Sequence, residues 1–184
     1  MGNQVILKNS NVEGDVVQGD KNVLQAPLLP LEKAIQAIID STEDNKELEG
    51  IIEELAEYIT NRPDREIIGV EQKLINGGRD DLLKDAVYLK NKFERTITKK
   101  QMSLVTQKVY AHVLAMIGSS FNLKVRPLIL ENRPKLEVNL AIHKEIIEPV
   151  YQSIVGFDQQ ITTELVSGML YFLTGKCHLI WSEK

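Results

Sequence analysis

KKQMSLVTQKVYAHVLAMIGSSF, residues 99–121, places apolar Met102, Val105, Val109, Val113, Met116 and Ile117 three or four positions apart. That spacing is the stripe of an amphipathic helix rather than the alternation of a strand. Thr98, with a hydroxyl able to accept from a first-turn N–H, predicts the cap of this helix, the longest in the chain. Working outward in both directions, the same period recurs. Upstream, Leu82, Leu83, Ala86, Val87, Leu89 and Phe93 predict a helix from Asp80 to about Ile97. Before it, Pro63 suits the first turn of a helix to Ile75, with Gly77-Gly78 as its stop. Leu48, Ile51, Ile52, Leu55, Tyr58 and Ile59 predict a helix from Asp44 to Thr60, and Leu31, Ala34, Ile35, Ile38 and Ile39 predict one from Leu31 to Asp40.

Downstream, Arg126-Pro127 and Arg133-Pro134 are expected to bracket an irregular link with a short apolar run, Leu128-Ile129-Leu130. A helix follows from Leu136 to about Val155, where Pro149 is expected to kink or split it by removing a donor and crowding the preceding turn. The last helix runs from Gln160 to about Leu173 and stops at Gly175, leaving Cys177–Trp181 as an extended, partly buried end. The expected fold class is therefore mainly α, with six to seven helices over residues 31–184.

The front of the chain follows a different rule. Ile6-Leu7-Lys8-Asn9-Ser10, Asn11-Val12-Glu13-Gly14-Asp15 and Val16-Val17-Gln18-Gly19-Asp20 repeat a five-residue unit. Its second position is apolar, and two of its three copies end in Gly-Asp. Glycine tolerates the positive φ of a tight corner, and aspartate can cap the turn. Residues 1–24 thus predict a β-solenoid-like tract of about three rungs, too few to bury its own apolar column. The expectation is that rungs from several chains meet and form a homo-oligomer. Leu7, Val12 and Val17 would be the buried contacts, Gly14 and Gly19 the corners, and Asp15 and Asp20 the caps. The alternative is a disordered tail carrying two Gly-Asp pairs. Residues 25–30, with Pro27 and Pro30, read as a stiff linker.

Composition narrows the function. The 184 residues are 43% hydrophobic and 26% charged, room for one sizeable core, and the formal charge is −4. Polyanion binders are usually basic overall. One cysteine, Cys177, excludes an internal disulfide framework and suits a reducing compartment. No basic, long-apolar leader and no run of roughly 18 apolar residues stands out. Gly2 is followed by Ile6 where a myristoylation pattern wants Ser or Thr. The expectation is a cytoplasmic protein with no membrane span. Charge is polarised along the chain. Residues 32–66 hold eleven acids and four bases, a balance of −7, whereas 79–108 hold eight bases and four acids, a balance of +4. Lys84, Lys90, Lys92, Arg95, Lys99 and Lys100 are candidate partner contacts in the basic stretch. They serve equally as a solvated face attracted to the acidic helices of the same monomer, or, with Tyr88, as an accessory nucleic-acid-binding surface.

No catalytic, cofactor or metal set emerges. His112, His143 and His178 are far apart in sequence, and no phosphate-binding GxxxxGK[ST] loop occurs. Cys177-His178 is the one tempting pair for a cryptic enzyme. Adjacent residues on an extended segment point to opposite faces, which argues against a nucleophile and its base.

Two stretches resemble a known group. Asn11-Val12-Glu13-Gly14-Asp15-Val16-Val17-Gln18-Gly19-Asp20-Lys21 is similar to the GDVVxGDK-type leader of bacterial conflict-system proteins. Leu165–Trp181, LVSGMLYFLTGKCHLIW, resembles the ending of C-terminal domains from ABC-three-component systems. The resemblance implies a helical domain of a bacterial anti-phage or mobile-element defence system. In such systems the domain is usually attached to a protease or nuclease effector and works with a small middle component and an ATPase. No effector domain is present in these 184 residues. What the resemblance implies is a non-enzymatic scaffold or adaptor whose ATPase or effector partners are encoded separately.

Overall fold

Gly168 sits where two helices come closest: a Cβ there would lie 2.6 Å from the Leu89 carbonyl oxygen and 3.1 Å from Phe93 Cβ. Only a residue without a side chain lets α9, Thr163–Gly175, lie flush along α4, Leu83–Ile97. At that contact Phe93 and Phe172 meet edge to face at 5.2 Å between ring centres, and Tyr110 of α5, Leu104–Ser120, tilts against Phe93 at 5.9 Å. These aromatic pairs anchor the core. The computed structural model describes residues 30–42, 47–48, 50–98, 102–158 and 160–182.

Within those residues the chain is built from α-helices joined by short links. Helix α1, Pro30–Ser41, takes in Pro30, assigned above to the linker; proline favours a first helical turn because its missing N–H is not needed there. The expected helix from Asp44 to Thr60 is shorter. A two-residue strand β1, Glu47–Leu48, precedes Gly50, and α2 spans only Glu53–Ile59. Buried Gln107 explains the break. Its Oε1 accepts from the Ile52 N–H at 2.7 Å and its Nε2 donates to the Gly50 carbonyl at 2.8 Å, taking the backbone groups a continuing helix would need. The helix expected from Pro63 begins later, as α3, Gly69–Asn76, because residues 62–66 are drawn to the C-terminal segment. Gly77-Gly78 does end it, with Gly78 at φ +67°. A 3-10 turn, Asp80–Leu82, leads into α4, and the Thr98 hydroxyl closes α4 by donating to the Glu94 carbonyl at 2.7 Å.

The next cap is therefore not Thr98. Strand β2, Met102–Ser103, pairs antiparallel with β1, and the Ser103 hydroxyl accepts from the Thr106 N–H at the start of α5, Leu104–Ser120. Nor does this helix end at Phe121. A π turn, Phe121–Val125, carries it into α6, Arg126–Leu130, making a 27-residue rod long and apolar enough to span a membrane. In this body, Val105, Val109, Val113, Leu114, Ile117, Phe121 and Val125 of the rod belong to the core. The same device recurs after the turn. Helix α7, Lys135–Ile142, passes through a π turn, His143–Ile147, into α8, Glu148–Ile154, so Pro149 does not split it. Both prolines stand two residues beyond a π turn, whose wider i→i−5 bonds, Arg126 N–H to Phe121 O and Glu148 N–H to His143 O, absorb the disruption. The helical segments thus form seven rods among the described residues, in agreement with the mainly α expectation.

The C-terminal segment is buried but not strand-like. Cys177 has φ +67°, and Cys177, Leu179 and Trp181 are each about 1% exposed. The β tract of residues 1–24, with Leu7, Val12, Gly14, Asp15, Val17, Gly19 and Asp20, lies outside the described residues.

Candidate partner interface

Helix α4 carries four of the six basic candidates, and its packing sorts them. Ala86, Phe93 and Ile97 turn inward, while Lys84, Tyr88 and Arg95 share the outer face, with Tyr88 60% exposed. Lys90 and Lys92 already have acidic partners: Lys90 pairs with Glu94 at 2.7 Å and Lys92 reaches Glu164 of α9 at 2.6 Å. The hydrogen bond to Glu164 holds the Lys92 ammonium above its ordinary pKa. Burial pulls the Glu94 carboxyl up, but the hydrogen bond and charge of Lys90, with Lys176, more than offset it and leave Glu94 below the usual range. The intrachain partners of these two lysines are thus α4 itself and α9, not the acidic 32–66 stretch. Lys84 and Arg95 form no ion pair among the described residues, and Lys99 and Lys100 lie outside those residues.

The C-terminal strap is the second feature. Two cations from earlier in the chain hold the end of α9 and the strap that follows it. Lys73 Nζ donates to the Thr174 carbonyl at 2.6 Å, and one Arg65 nitrogen donates to the carbonyls of Cys177 and His178 at 2.8 and 3.0 Å. Positive charge at a helix C-terminus complements its dipole. Trp181 then turns back, donating from Nε1 to Thr174 Oγ1 at 3.0 Å with its ring 5.0 Å from Phe121. Gly77 lets the strap pass: a Cβ there would lie 2.8 Å from Trp181 Cβ. A cleft of about 270 Å³ runs beside the strap between Arg65, Lys73, Asn76 and Trp181. It adjoins a wider one of about 770 Å³ that reaches Ile129 and Asn132.

Cys177 and His178 diverge within this strap. The Cys177 thiol donates to the Glu66 carbonyl at 3.4 Å, whereas His178 Nε2 faces the Thr60 carbonyl at 3.3 Å and its ring stacks obliquely on Tyr58 at 5.4 Å. Burial, seconded by the charges of Arg62, Arg65 and Lys73, lowers the His178 pKa although the Thr60 contact opposes this. The geometry gives each side chain its own backbone partner and does not couple them. Among the described residues no three His, Cys, Asp or Glu side chains converge as metal ligands. Arg65, Lys73 and Gln107 were not singled out in the sequence, since their roles depend on carbonyls that only the tertiary fold brings near.

Residues 69–181 match the model of C-terminal domain 9 of the ABC-three component (ABC-3C) systems. The chain belongs to this family. The matched ABC-3C domain opens at Gly69, the first residue of α3, and closes at Trp181, the last buried side chain of the strap. Leu165–Trp181, on which the resemblance rested, lies inside it, whereas the leader-like stretch at 11–21 and helices α1 and α2 lie before it. No curated protein and no solved structure matches the chain.

Proposed function

We propose that the chain is a non-enzymatic adaptor of an ABC-three-component defence system, assembled into a cytoplasmic homo-oligomer through its five-residue repeats and presenting its helical body to a separately encoded ATPase or effector. The observation that carries this reading is the family match over the helical body. It is supported by the Gly-Asp tract in front of that body, whose rungs need neighbours to bury their apolar column. Joining several bodies multiplies weak contacts, raising effective concentrations to the millimolar range for short linkers. The test is the mass of the full chain with Gly14→Val and Gly19→Val: the assembly shrinks while the helical circular dichroism signal stays. An unchanged mass in light scattering rejects the repeat as the clasp. Co-expression with a system's ATPase and effector components tests the partners, which are expected to co-purify with the wild-type chain.

A second reading is an accessory nucleic-acid-binding role, favoured by the shared outward face of Lys84, Tyr88 and Arg95. Phosphate-driven binding would weaken steeply with added salt, and binding that ignores salt would dismiss it.

A further inference from the structure

The tip of the helical hairpin formed by α6 and α7 is apolar where it meets solvent. Leu123 and Leu136 are each 70% exposed, Leu140 is 60% exposed and Leu130 36%. Leu136 and Leu140 are one helical turn apart, and the π turn bearing Leu123 packs against α7. Lys124 and Lys144 flank these leucines, are exposed, and form no ion pair among the described residues. The stretch 122–144 holds five bases and two acids, a balance of +3 in a chain of net charge −4.

The complement of that tip lies elsewhere on the same body. A groove of about 380 Å³ between α1, α2 and α5 is floored by Ile38, Tyr58, Ala111 and Ala115 and rimmed by Glu54 and Glu57. Both glutamates are exposed and form no ion pair among the described residues; Lys108 also lines the groove, leaving it a net negative rim. Tip and groove are carried by one continuous rod. At about 1.5 Å per residue, Leu123 stands roughly 12–18 Å along it from Ala115 and Ala111, so a chain cannot seat its own tip in its own groove.

We infer that the leucine tip of one copy docks in the acid-rimmed groove of a second copy, with Lys124 and Lys144 facing Glu54 and Glu57. The contact is head to tail, between two different patches, and such contacts build rings or open chains rather than closed pairs. The apolar centre supplies affinity, and the charges set register and exclude tip-on-tip pairing. This inference rests on the self-association proposed above but assigns it a second contact, in the helical body.

The test uses the full chain with Leu123→Asp and Leu140→Asp in one protein and Glu54→Lys and Glu57→Lys in another. All four positions are exposed, and circular dichroism verifies folding. By sedimentation, each variant is expected to self-associate about tenfold or more weakly than wild type, the loss of a central contact. Their equimolar mixture regains a larger species, since each retains the half the other lacks. Combining Lys124→Glu and Lys144→Glu with Glu54→Lys and Glu57→Lys in one chain restores the wild-type mass. Masses equal to wild type in both variants overturn the contact. If Gly14→Val and Gly19→Val then still shrink the assembly, the repeat clasp stands and this contact alone fails; a monomeric wild type defeats both. A tip variant that keeps its mass but loses a co-expressed component shows another polypeptide on the tip, and also overturns the self-contact.

Discussion

Gln107 is fully buried, and its amide serves only backbone: the Ile52 N–H, the Gly50 carbonyl and, at 3.3 Å, the Met102 carbonyl. Gln107→Ala would leave those groups without their side-chain partner, and an unmatched buried polar group costs about 1–3 kcal/mol. The expected loss is about 3 kcal/mol, read from denaturant unfolding, whereas a change below about 0.5 kcal/mol would mean water replaces the amide without cost. His178 predicts a pH effect. Burial and nearby cations hold its pKa below the ordinary 6.5, so the folded state favours the neutral ring. Its contribution is complete above 6.5 and is lost as pH falls through the folded value, because the unfolded chain then binds the proton first. His178→Gln should therefore flatten the fall in unfolding midpoint between neutral pH and pH about 5, compared with wild type. An identical slope in both proteins would remove His178 from the account. At this scale the sequence predicted from an extended segment that Cys177 and His178 would not face each other; they do diverge, but around a Cys177 at φ +67° rather than along a strand. It could not show that Lys73 would cap the end of α9 or that Arg65 would hold the strap beyond it, since the acceptors are more than a hundred residues away along the chain.

Helix α9 against α4 is the contact on which the elements are hung, and Gly168 sets its spacing. Alanine at 168 gains helix propensity of about 1 kcal/mol over glycine but must displace the Leu89 carbonyl, a backbone atom that cannot rotate away. Overpacking of this kind costs typically 1–3 kcal/mol, so Gly168→Ala is expected to destabilise by about 1 kcal/mol and Gly168→Val by more. A rise in melting temperature for Gly168→Ala would mean the two helices part freely. The rods α1, α4, α5 and α9 were legible because their apolar residues keep a helical period over several turns. Two departures were not. The shortening of α2 depends on Gln107, which is remote in sequence. The continuity through Pro127 and Pro149 depends on π turns, and a π turn leaves no mark in a pattern in which proline reads as a stop.

The whole molecule divides, on this reading, into a core-bearing body and a front end that works between copies. Every member of the described core falls between Leu31 and Trp181, so a fragment of residues 26–184 retains all of it. Trp181 is the chain's one tryptophan, about 1% exposed against Phe121, and its fluorescence reports the body's unfolding directly. The fragment is expected to unfold within about 0.5 kcal/mol of the full chain, as changes remote from a core do, while its mass in light scattering falls. A cut after Ser41 is a different matter. It removes Leu31 and Ile35, 5% and 3% exposed, which α1 lays against α5 and α8. Burying one such side chain is worth roughly 1.5–3 kcal/mol, so this second fragment should lose about 3–6 kcal/mol. That is a large share of a domain's usual stability of about 5–15 kcal/mol. The two cuts therefore separate assembly from folding. If the fragment of residues 26–184 instead lost several kcal/mol, the repeats would be packing on their own body, and the proposed clasp between copies would give way to an intramolecular strand.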